Sequence, residues 1–482
     1  MRLLDSADPS AGSSVPPSIR LDDLLAATGA RLLGPTSVTS FATAAVDSRN
    51  VVPGCLFVAL RGERTDGHRF APDAVRAGAT VLIVEHPVEL PAEASVAVLQ
   101  VADALLALQE MAAWWRARSN VRVVGITGST GKTIAKEMVA DVLSRTSSVL
   151  RNEGNLNSET GLPMTLLRLE PSHQVAVLEM SMYSEGEIAR LAEIARPEVG
   201  VVLAVHPTHL QRAGSLEAIA RAKAELPAAL PADGLAVLNA DDPRVVAMRS
   251  VTSARVLTFG LGPDADVRAS EVESHGVDGT TFTLEAPWGR RRLHSATPGR
   301  HLVPHALAAA TVAEHLGVPL DEVADALAAG SRADHRMAVV EATAGATIID
   351  DTYNASPVSV AAALDFLGES PLAPGRARYA VLGDMLELGP DEEQLHRQVG
   401  ALAAGVADAL VAVGERGRWI ADGARAAGLR RVTTARDADE AVLAVERDLA
   451  PGVGDLLLVK ASRGIELDRL VAALTGQPAG HT

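Results

Sequence analysis

Residues 121–133 read VRVVGITGSTGKT, and this stretch decides the fold class. The apolar run 121–127 predicts a strand, and the spacing of Ile134, Met138 and Val142 predicts a helix that follows directly. A glycine-rich loop in this position lets backbone N–H groups approach phosphate oxygens, while its lysine and threonine meet the phosphates and a magnesium ion. We therefore expect nucleotide binding here rather than a purely structural turn. The candidate residues are Gly128, Ser129, Thr130, Gly131, Lys132, Thr133 and Ile134.

The composition is that of a folded protein with several domains. The chain has 482 residues, which suggests about three domains at roughly 100–200 residues each. Apolar residues form 48% of the chain, and 60 acidic residues outnumber 44 Lys and Arg to give a formal charge of −16. This balance argues against a nucleic-acid-binding or anionic-membrane-binding surface.

The cysteine count and the apolar runs indicate the compartment. One cysteine, Cys55, rules out an internal disulfide framework and a cysteine-rich metal site. No apolar run reaches the ~18 residues of a membrane span, and residues 1–18 lack the basic and then apolar pattern of a leader. We expect a cytoplasmic protein in which Cys55 is a small buried side chain.

The pattern of strands and helices predicts three α/β domains after a flexible tail, 1–18. A small α/β domain spans 19–118. The central P-loop-type domain spans 119–335, because strands and helices alternate there as in a single large domain with a mainly parallel sheet. Apolar runs separated by helical segments predict a second doubly wound, Rossmann-like sheet in 336–482.

Polar side chains end the predicted strands beside the glycine-rich loop. Glu179 follows the strand at 175–178, and His206 and His209 follow the strand at 199–205. Open α/β sheets bind ligands at the carboxyl ends of their strands. A metal–nucleotide site is the natural interpretation of the group, whereas each residue alone fits a surface carboxylate or a hydrogen-bonded loop histidine.

Lysine is scarce, and its positions are therefore informative. The chain has only Lys132, Lys136, Lys223 and Lys460. Ser215 can cap a helix whose apolar face carries Lys223 between Ile219 and Leu226. A desolvated amine has a lowered pKa, and a neutral amine can add CO₂ to become a carbamate, which is an anionic metal ligand. Helix geometry alone favours the alternative, a lysine that extends to solvent from the edge of the stripe.

Further polar groups end the strands of the third predicted domain. Asp350 and Asp351 follow one strand, Asp384 follows a second, and Lys460 to Arg463 follow the last. Complementary polar groups on two sheets suggest a cleft that closes on substrate. Arg336, at the domain junction, is either a hinge anchor or simply a surface residue.

Together these segments resemble the Mur ligase family, the ATP-dependent amide ligases of peptidoglycan assembly, over nearly the whole chain. The resemblance is carried by residues 46–49, 54–62, 66–70, 127–138, 154–163, 179–180, 222–225, 350–357, 382–389 and 459–464. The run GDMLELG at 383–389 is characteristic of the member that adds a dipeptide. The DNPR string of many ligases that add diaminopimelate is absent.

The resemblance implies a two-step reaction that uses ATP and Mg²⁺. The terminal carboxylate of UDP-N-acetylmuramoyl-tripeptide attacks the γ-phosphate of ATP, and the amine of D-alanyl-D-alanine then displaces phosphate from the acyl phosphate. It implies catalytic roles for Lys132, Glu179, His209 and Lys223. One metal ion would be held by Thr133 and Glu179, and another by His209 and carbamylated Lys223. Further nucleotide contacts would come from Arg336 and Asp351, and substrate contacts from Ser48, Arg49, Asn157, Ser158, Lys460 and Arg463. We expect a monomer with no nucleic-acid partner and no membrane insertion.

Several positions differ from the family pattern. Leu302 and His305 occupy the places of two asparagines that contact adenine in the family, and Ser158, Ala204, His206 and Gln211 also replace the usual residues. Two alternatives therefore accompany the main expectation. One is a family member that adds a single amino acid, and the other is a nucleotide-binding regulator that has lost turnover. The intact set of Lys132, Glu179, His209 and Lys223 argues against the regulator.

Overall fold

The computed structural model describes residues 18–62, 65–91, 93–207, 214–330 and 335–477. The chain separates into two compact units. The first contains residues up to Val121 with Asn155–Gln174 and Glu193–Ala195, and the second contains Arg122–Gly154, Val175–Ala192 and Arg196 onwards. The predicted tail, 1–18, lies outside the described residues except for Ser18. Among the described helices, none is long and apolar enough to cross a membrane.

The first unit contains a two-stranded ladder and a five-stranded sheet. Its strands are β1 (Ile19–Arg20), β2 (Arg31–Leu32), β3 (Ser40–Phe41), β4 (Ala44–Ala45), β5 (Leu56–Val58), β6 (Val81–Val84) and β7 (Ala97–Gln100). Its first helices are α1 (Leu21–Thr28), α2 (Ala71–Arg76) and α3 (Ala104–Arg116). The sheet order is β2-β7-β6-β5-β4, and only β2 and β7 are antiparallel. All residues of β5 and β6 are buried, as in parallel strands covered on both faces. Cys55 is buried as predicted, and burial raises the pKa of its thiol.

The second unit begins with a nine-stranded sheet. Its strands are β8 (Arg122–Thr127), β9 (Val149–Arg151), β10 (Val175–Glu179), β11 (Val199–Val202), β12 (Leu235–Asn239), β13 (Arg255–Gly260), β14 (Val267–Ser274), β15 (Thr280–Ala286) and β16 (Gly289–Ser295). The order is β16-β15-β14-β13-β12-β11-β8-β10-β9. The strands from β8 to β14 are parallel, and β15 and β16 extend the sheet as antiparallel strands. Because the chain goes from β8 to β9 and β10 on one side and then to β11 on the other, the topological switch point lies at the carboxyl end of β8.

Seven helices alternate with these strands along the described chain. They are α4 (Lys132–Leu143), α5 (Gly161–Leu166), α6 (Glu187–Ala195), α7 (Leu216–Ala228), α8 (Pro243–Ala247), α9 (Val303–His315) and α10 (Leu320–Ala329). Helix α5 and the last three residues of α6 belong to the first unit. Helix α9 packs against α4. Nine of its 13 residues are buried, and five of these are alanines, whose small side chains let the two helices approach closely. The strand and helix predicted around the glycine-rich loop are thus confirmed as β8 and α4.

A second sheet of six strands follows. Its strands are β17 (Ala338–Glu341), β18 (Thr347–Asp351), β19 (Arg378–Gly383), β20 (Ala409–Val413), β21 (Val432–Ala435) and β22 (Leu456–Lys460). Its helices are α11 (Pro357–Glu369), α12 (Glu392–Ala404), α13 (Gly417–Ala426), α14 (Ala438–Ala444) and α15 (Asp468–Thr475). The order is β17-β18-β22-β19-β20-β21, parallel except for β17 with β18. The predicted α/β class, with a mainly parallel P-loop-type sheet and a Rossmann-like sheet, is confirmed.

Candidate active site

The loop after β8 has a shape that requires glycine at two positions. A Cβ on Gly128 would lie 2.9 Å from the Cβ of Leu203. Gly131 has a φ of +77°, and a Cβ there would lie 2.0 Å from Nε2 of His305. An L side chain at Gly131 would therefore meet both a disfavoured backbone conformation and a steric clash. The imidazole of His305 packs directly against the end of the loop.

Ser129 connects this loop to the segment after β11. Its N–H donates to the carbonyl of Ala204 at 2.8 Å. Its Oγ accepts from the N–H of His206 at 2.9 Å and donates to the His206 carbonyl at 3.0 Å. Helix α4 then begins at Lys132, and within the described residues no side chain caps its N-terminus. The first N–H groups of α4 are therefore placed to bind an anion, as the sequence predicts for phosphate.

Three cationic side chains influence one another beside the loop. Burial lowers the pKa of Lys132, Glu179 opposes this shift, and Arg336 adds to it. Burial and repulsion from Lys132 hold the pKa of Lys223 well below its usual value, against the attraction of Glu179. The Nε of Arg336 is excluded from solvent and makes no hydrogen bond within the described residues, and its guanidinium lies 4.0 Å from the Tyr353 ring centroid. Basic side chains that repel one another and an unpaired buried donor fit a polyanion such as the phosphates of ATP.

Two oxygen side chains meet where the sequence predicts a metal ion. The hydroxyl of Thr133 donates to Oε2 of Glu179 at 2.7 Å, and both residues are buried. Asn152 holds the backbone of Glu179, because its Oδ1 accepts from the Glu179 N–H at 2.9 Å and its Nδ2 donates to the Glu179 carbonyl at 3.1 Å. A hydroxyl and a carboxylate are hard oxygen ligands, so the donors present fit Mg²⁺.

Lys223 is buried on α7 and does not extend to solvent. The predicted cap is present, since the side chain of Ser215 accepts from the N–H of Ala218 at 3.1 Å. Lys223 is 3% exposed, and Ile219 and Leu226 on the same face are also buried. Burial lowers the pKa of this amine, which favours the neutral form that carbamate formation requires. His209, the predicted second partner of this metal site, lies outside the described residues.

The structure brings together residues that the sequence assigns to opposite substrates. The Nζ of Lys460 donates to Oδ2 of Asp351 at 2.5 Å and to the carbonyl of Asn354 at 2.8 Å. Asp351 and Lys460 are register partners on β18 and β22. Arg463 is exposed, and its guanidinium lies 5.3 Å from the centroid of the Tyr353 ring. The guanidinium of Arg336 stacks on the same ring. Tyr353 therefore connects the predicted nucleotide and peptide sides.

The remaining predicted substrate residues lie in the first unit. Ser48 and Arg49 form a short 3-10 turn that the side chain of Asp47 caps. Hydrogen bonding to Arg49 lowers the pKa of that aspartate. Asn157 and Ser158 precede α5, and the Ser158 Oγ accepts from the Gly161 N–H at 3.3 Å. The side chains of Arg49 and Ser158 are thus held by local hydrogen bonds.

Sequence reasoning did not include Asn152 or Tyr353 in the site. Asn152 follows β9, and its contacts with Glu179 span 27 residues of sequence, which no local pattern reports. Tyr353 lies inside the segment 350–357 that carries the family resemblance, so that segment contained a signal for it.

A third cluster contains possible metal ligands but is internally satisfied. Ligand atoms of Asp66, His68 and His86 lie within 4.8 Å of one another. The Nδ1 of His68 bonds to Asp66 at 2.6 Å, and its Nε2 accepts from the N–H of Glu85 at 2.8 Å. Both ring nitrogens of His68 are occupied, so this cluster is a structural hydrogen-bond group.

Comparisons with known proteins agree with this geometry. Three family models match the chain: the Mur ligase family catalytic domain over 43–116, the Mur ligase middle domain over 126–313, and the Mur ligase glutamate ligase domain over 335–463. UDP-N-acetylmuramoyl-tripeptide–D-alanyl-D-alanine ligase of Escherichia coli is 38% identical, over 89% of this chain and 92% of its own. The enzyme of the same name from Mycobacterium bovis is 38% identical, over 90% of this chain and 92% of its own.

Solved structures give the same result. A crystal structure of MurF from Acinetobacter baumannii is 32% identical and superposes with a TM-score of 0.86 over 96% of this chain and 100% of its own. A structure of MurF ligase from Thermotoga maritima in complex with ADP is 28% identical, with a TM-score of 0.77 over 90% of this chain and 97% of its own. The chain belongs to the Mur ligase family.

Proposed function

We propose that the chain is an ATP-dependent ligase that joins D-alanyl-D-alanine to UDP-N-acetylmuramoyl-tripeptide, and that it does so in the cytoplasm. The observation that carries the proposal is the arrangement at the carboxyl end of β8. There Lys132 of the phosphate loop, the Thr133–Glu179 pair and the buried amine of Lys223 influence one another electrostatically. Relatives bearing this enzyme name, matched over about nine-tenths of both chains, support the choice of substrates.

The first step must bring a carboxylate to a triphosphate although both are negatively charged. Lys132 and Arg336 offset this repulsion, and the uncapped N-terminus of α4 adds N–H donors for the phosphates. Thr133 and Glu179 would hold Mg²⁺, which when bound neutralises charge on the phosphate oxygens. Such positioning and charge stabilisation provide most of the catalysis in phosphoryl transfer.

The proposed bond changes balance without any further reactant. A carboxylate oxygen of the tripeptide forms a bond to the γ-phosphorus while the bond from that phosphorus to ADP breaks. The ammonium group of the dipeptide loses a proton to become an amine, which forms a bond to the acyl carbon and gives up a second proton to water as the amide forms. Phosphate leaves and carries the former carboxylate oxygen with it.

Each predicted domain has a part in this proposal. Residues 19–118, with Ser48 and Arg49, bind the uridine nucleotide of the substrate, helped by Asn157 and Ser158. Residues 119–335 bind ATP, with Arg336 and Asp351 contacting the nucleotide from the junction. Residues 336–482 bind the incoming dipeptide, with Arg463 at its carboxylate and Lys460 holding Asp351 beside it. His209 and carbamylated Lys223 hold a second metal ion.

Phosphate release tests the proposal directly. Phosphate release by the purified protein is measured with MgATP and UDP-N-acetylmuramoyl-tripeptide, in the presence of D-alanyl-D-alanine, of single amino acids or of no acceptor. The mass of the uridine nucleotide product is determined by mass spectrometry. We expect phosphate release that depends on the dipeptide and is accompanied by the pentapeptide product. The Lys132→Met variant should release no phosphate. Turnover only with a single amino acid would assign the sister activity. Nucleotide binding with no turnover would favour the regulator.

A further inference from the structure

Lys136 is the one lysine of the four that the proposed reaction does not use. It lies on α4, one turn after Lys132 and three residues after Thr133, so it shares a helix with both. Its side chain is 1% exposed, although a lysine is almost never fully buried unless it is paired. A buried cation next to a phosphate loop therefore requires an explanation.

The ammonium group of Lys136 has two close partners. Its Nζ donates to the backbone carbonyl of Asn152 at 2.5 Å and lies 2.6 Å from Oε1 of Glu137. The other oxygen of Glu137 pairs with Arg151 at 2.5 Å. Glu137 thus pairs with two cationic side chains, Lys136 and Arg151. The hydrogen bond to the Asn152 carbonyl, in contrast, is donated by Lys136.

Asn152 connects Lys136 to Glu179, whose carboxylate is proposed to bind the metal ion. Its side-chain amide brackets the backbone of Glu179, accepting from the N–H and donating to the carbonyl. The carboxylate of Glu179 in turn accepts from the hydroxyl of Thr133 at 2.7 Å. Because Thr133 and Lys136 are both on α4, the hydrogen bonds close a ring that runs from α4 through Asn152 to Glu179 and back.

We propose that Lys136 is a positioning residue that fixes Glu179 for the metal ion, an inference that rests on the proposed function. Lys136 holds the Asn152 backbone, Asn152 holds the Glu179 backbone, and Glu179 presents its carboxylate to Thr133. Each member of the ring is buried. Residues that do not touch the metal ion but orient one of its ligands through hydrogen bonds typically contribute about 10- to 100-fold to metal affinity.

The chain offers a matched control for this role. Lys136→Met removes the ammonium group but keeps a buried side chain of similar length, and Glu137 still has Arg151. Arg151→Gln removes the other partner of Glu137 and a pair with Asp141 at 2.8 Å, while the Lys136–Asn152 bond remains. Both variants remove a positive charge that pairs with Glu137, but only Lys136→Met breaks the ring.

Mn²⁺ binding to the protein–ADP complex, followed by electron paramagnetic resonance, tests the inference. We expect Lys136→Met to bind Mn²⁺ about tenfold more weakly than the parent protein. Its affinity for metal-free ADP should stay within about twofold of the parent value. For Arg151→Gln, the affinities for Mn²⁺ and for metal-free ADP should both stay within about twofold of the parent values. Equal Mn²⁺ affinity in a folded Lys136→Met protein would overturn the inference.

A second variant covers a failure of Lys136→Met to fold. Asn152→Ala removes the amide bracket on Glu179 and leaves Lys136 its carbonyl partner, so it should weaken Mn²⁺ binding similarly. Unchanged binding in Asn152→Ala would also overturn the inference. If the parent protein itself binds neither ADP nor Mn²⁺ in its presence, the proposed function fails instead.

Discussion

His305 makes the stability of the fold depend on pH in a way that can be calculated. Burial, with repulsion from His301, lowers its pKa from 6.5 to about 4, against the effect of the Leu302 carbonyl. The folded state therefore binds fewer protons than the unfolded state between these two values, and stability falls as the pH drops through this window. Above it His305 is neutral in both states and the contribution vanishes.

The perturbation is His305→Asn, which removes the titrating ring beside Gly131. At 1.36 kcal/mol per pKa unit, the full shift is worth on the order of 3 kcal/mol, of which about 2 kcal/mol is lost between pH 7 and pH 5. Urea unfolding of parent and variant at these two pH values gives the difference in free energy of unfolding. We expect the parent to lose about 2 kcal/mol more than the variant.

Histidine-selective ¹³C nuclear magnetic resonance identifies the group responsible. The Cε1 signal that disappears in His305→Asn should keep its neutral position at about pH 5. A signal that titrates near the ordinary histidine value, or a difference in stability that is the same at both pH values, would refute the assignment of His305 as a buried neutral ring.

Three further predictions concern the site. Lys223→Ala should abolish turnover and leave the circular dichroism spectrum unchanged, with partial rescue by short carboxylic acids, because these can replace the carbamate; normal turnover in the variant would remove the carbamate from the account. Glu179→Gln should raise the Mg²⁺ concentration for half-maximal phosphate release at least tenfold, since a neutral amide is a poorer ligand, and an unchanged requirement would contradict this role. Lys460→Met should lower the free energy of unfolding by about 3–5 kcal/mol by stranding the buried Asp351, and Asp351→Asn in the same chain should recover much of the loss; a double variant as unstable as Lys460→Met would argue against the pair.

Local patterns predicted the elements that position the site. The strand, loop and helix at 121–142 appear as β8 and α4, and Ser215 caps α7 as expected. These features depend on neighbours within a few residues, so the sequence carries them directly.

Charged strands were harder to recognise. Residues of β16 read GRRRLHS, which has too little apolar alternation to indicate a strand. The arginines lie on an antiparallel ladder in which Arg290 faces Glu285 of β15 in register, and Arg292 reaches Glu273 of β14 at 2.7 Å. Cross-strand ion pairs of this kind stabilise a ladder whose outer face is solvated.

Most contacts between distant residues could not be predicted from local patterns. Helix periodicity placed Lys223 on an apolar face but left open whether that face was covered. The Lys460–Asp351 pair spans 109 residues, and the Lys136–Asn152 bond depends on the packing of α4 beside β9. Only the tertiary fold decides these contacts, which are the ones that set the charge and orientation of the site.

Oxygen transfer tests the central claim of an acyl-phosphate ligase most directly. UDP-N-acetylmuramoyl-tripeptide labelled with ¹⁸O in its terminal carboxylate is turned over with MgATP and D-alanyl-D-alanine, and the released phosphate is analysed by mass spectrometry. We expect ¹⁸O from the carboxylate in the phosphate and the dipeptide in the nucleotide product. Unlabelled phosphate accompanying pentapeptide formation, or no pentapeptide at all, would contradict the account.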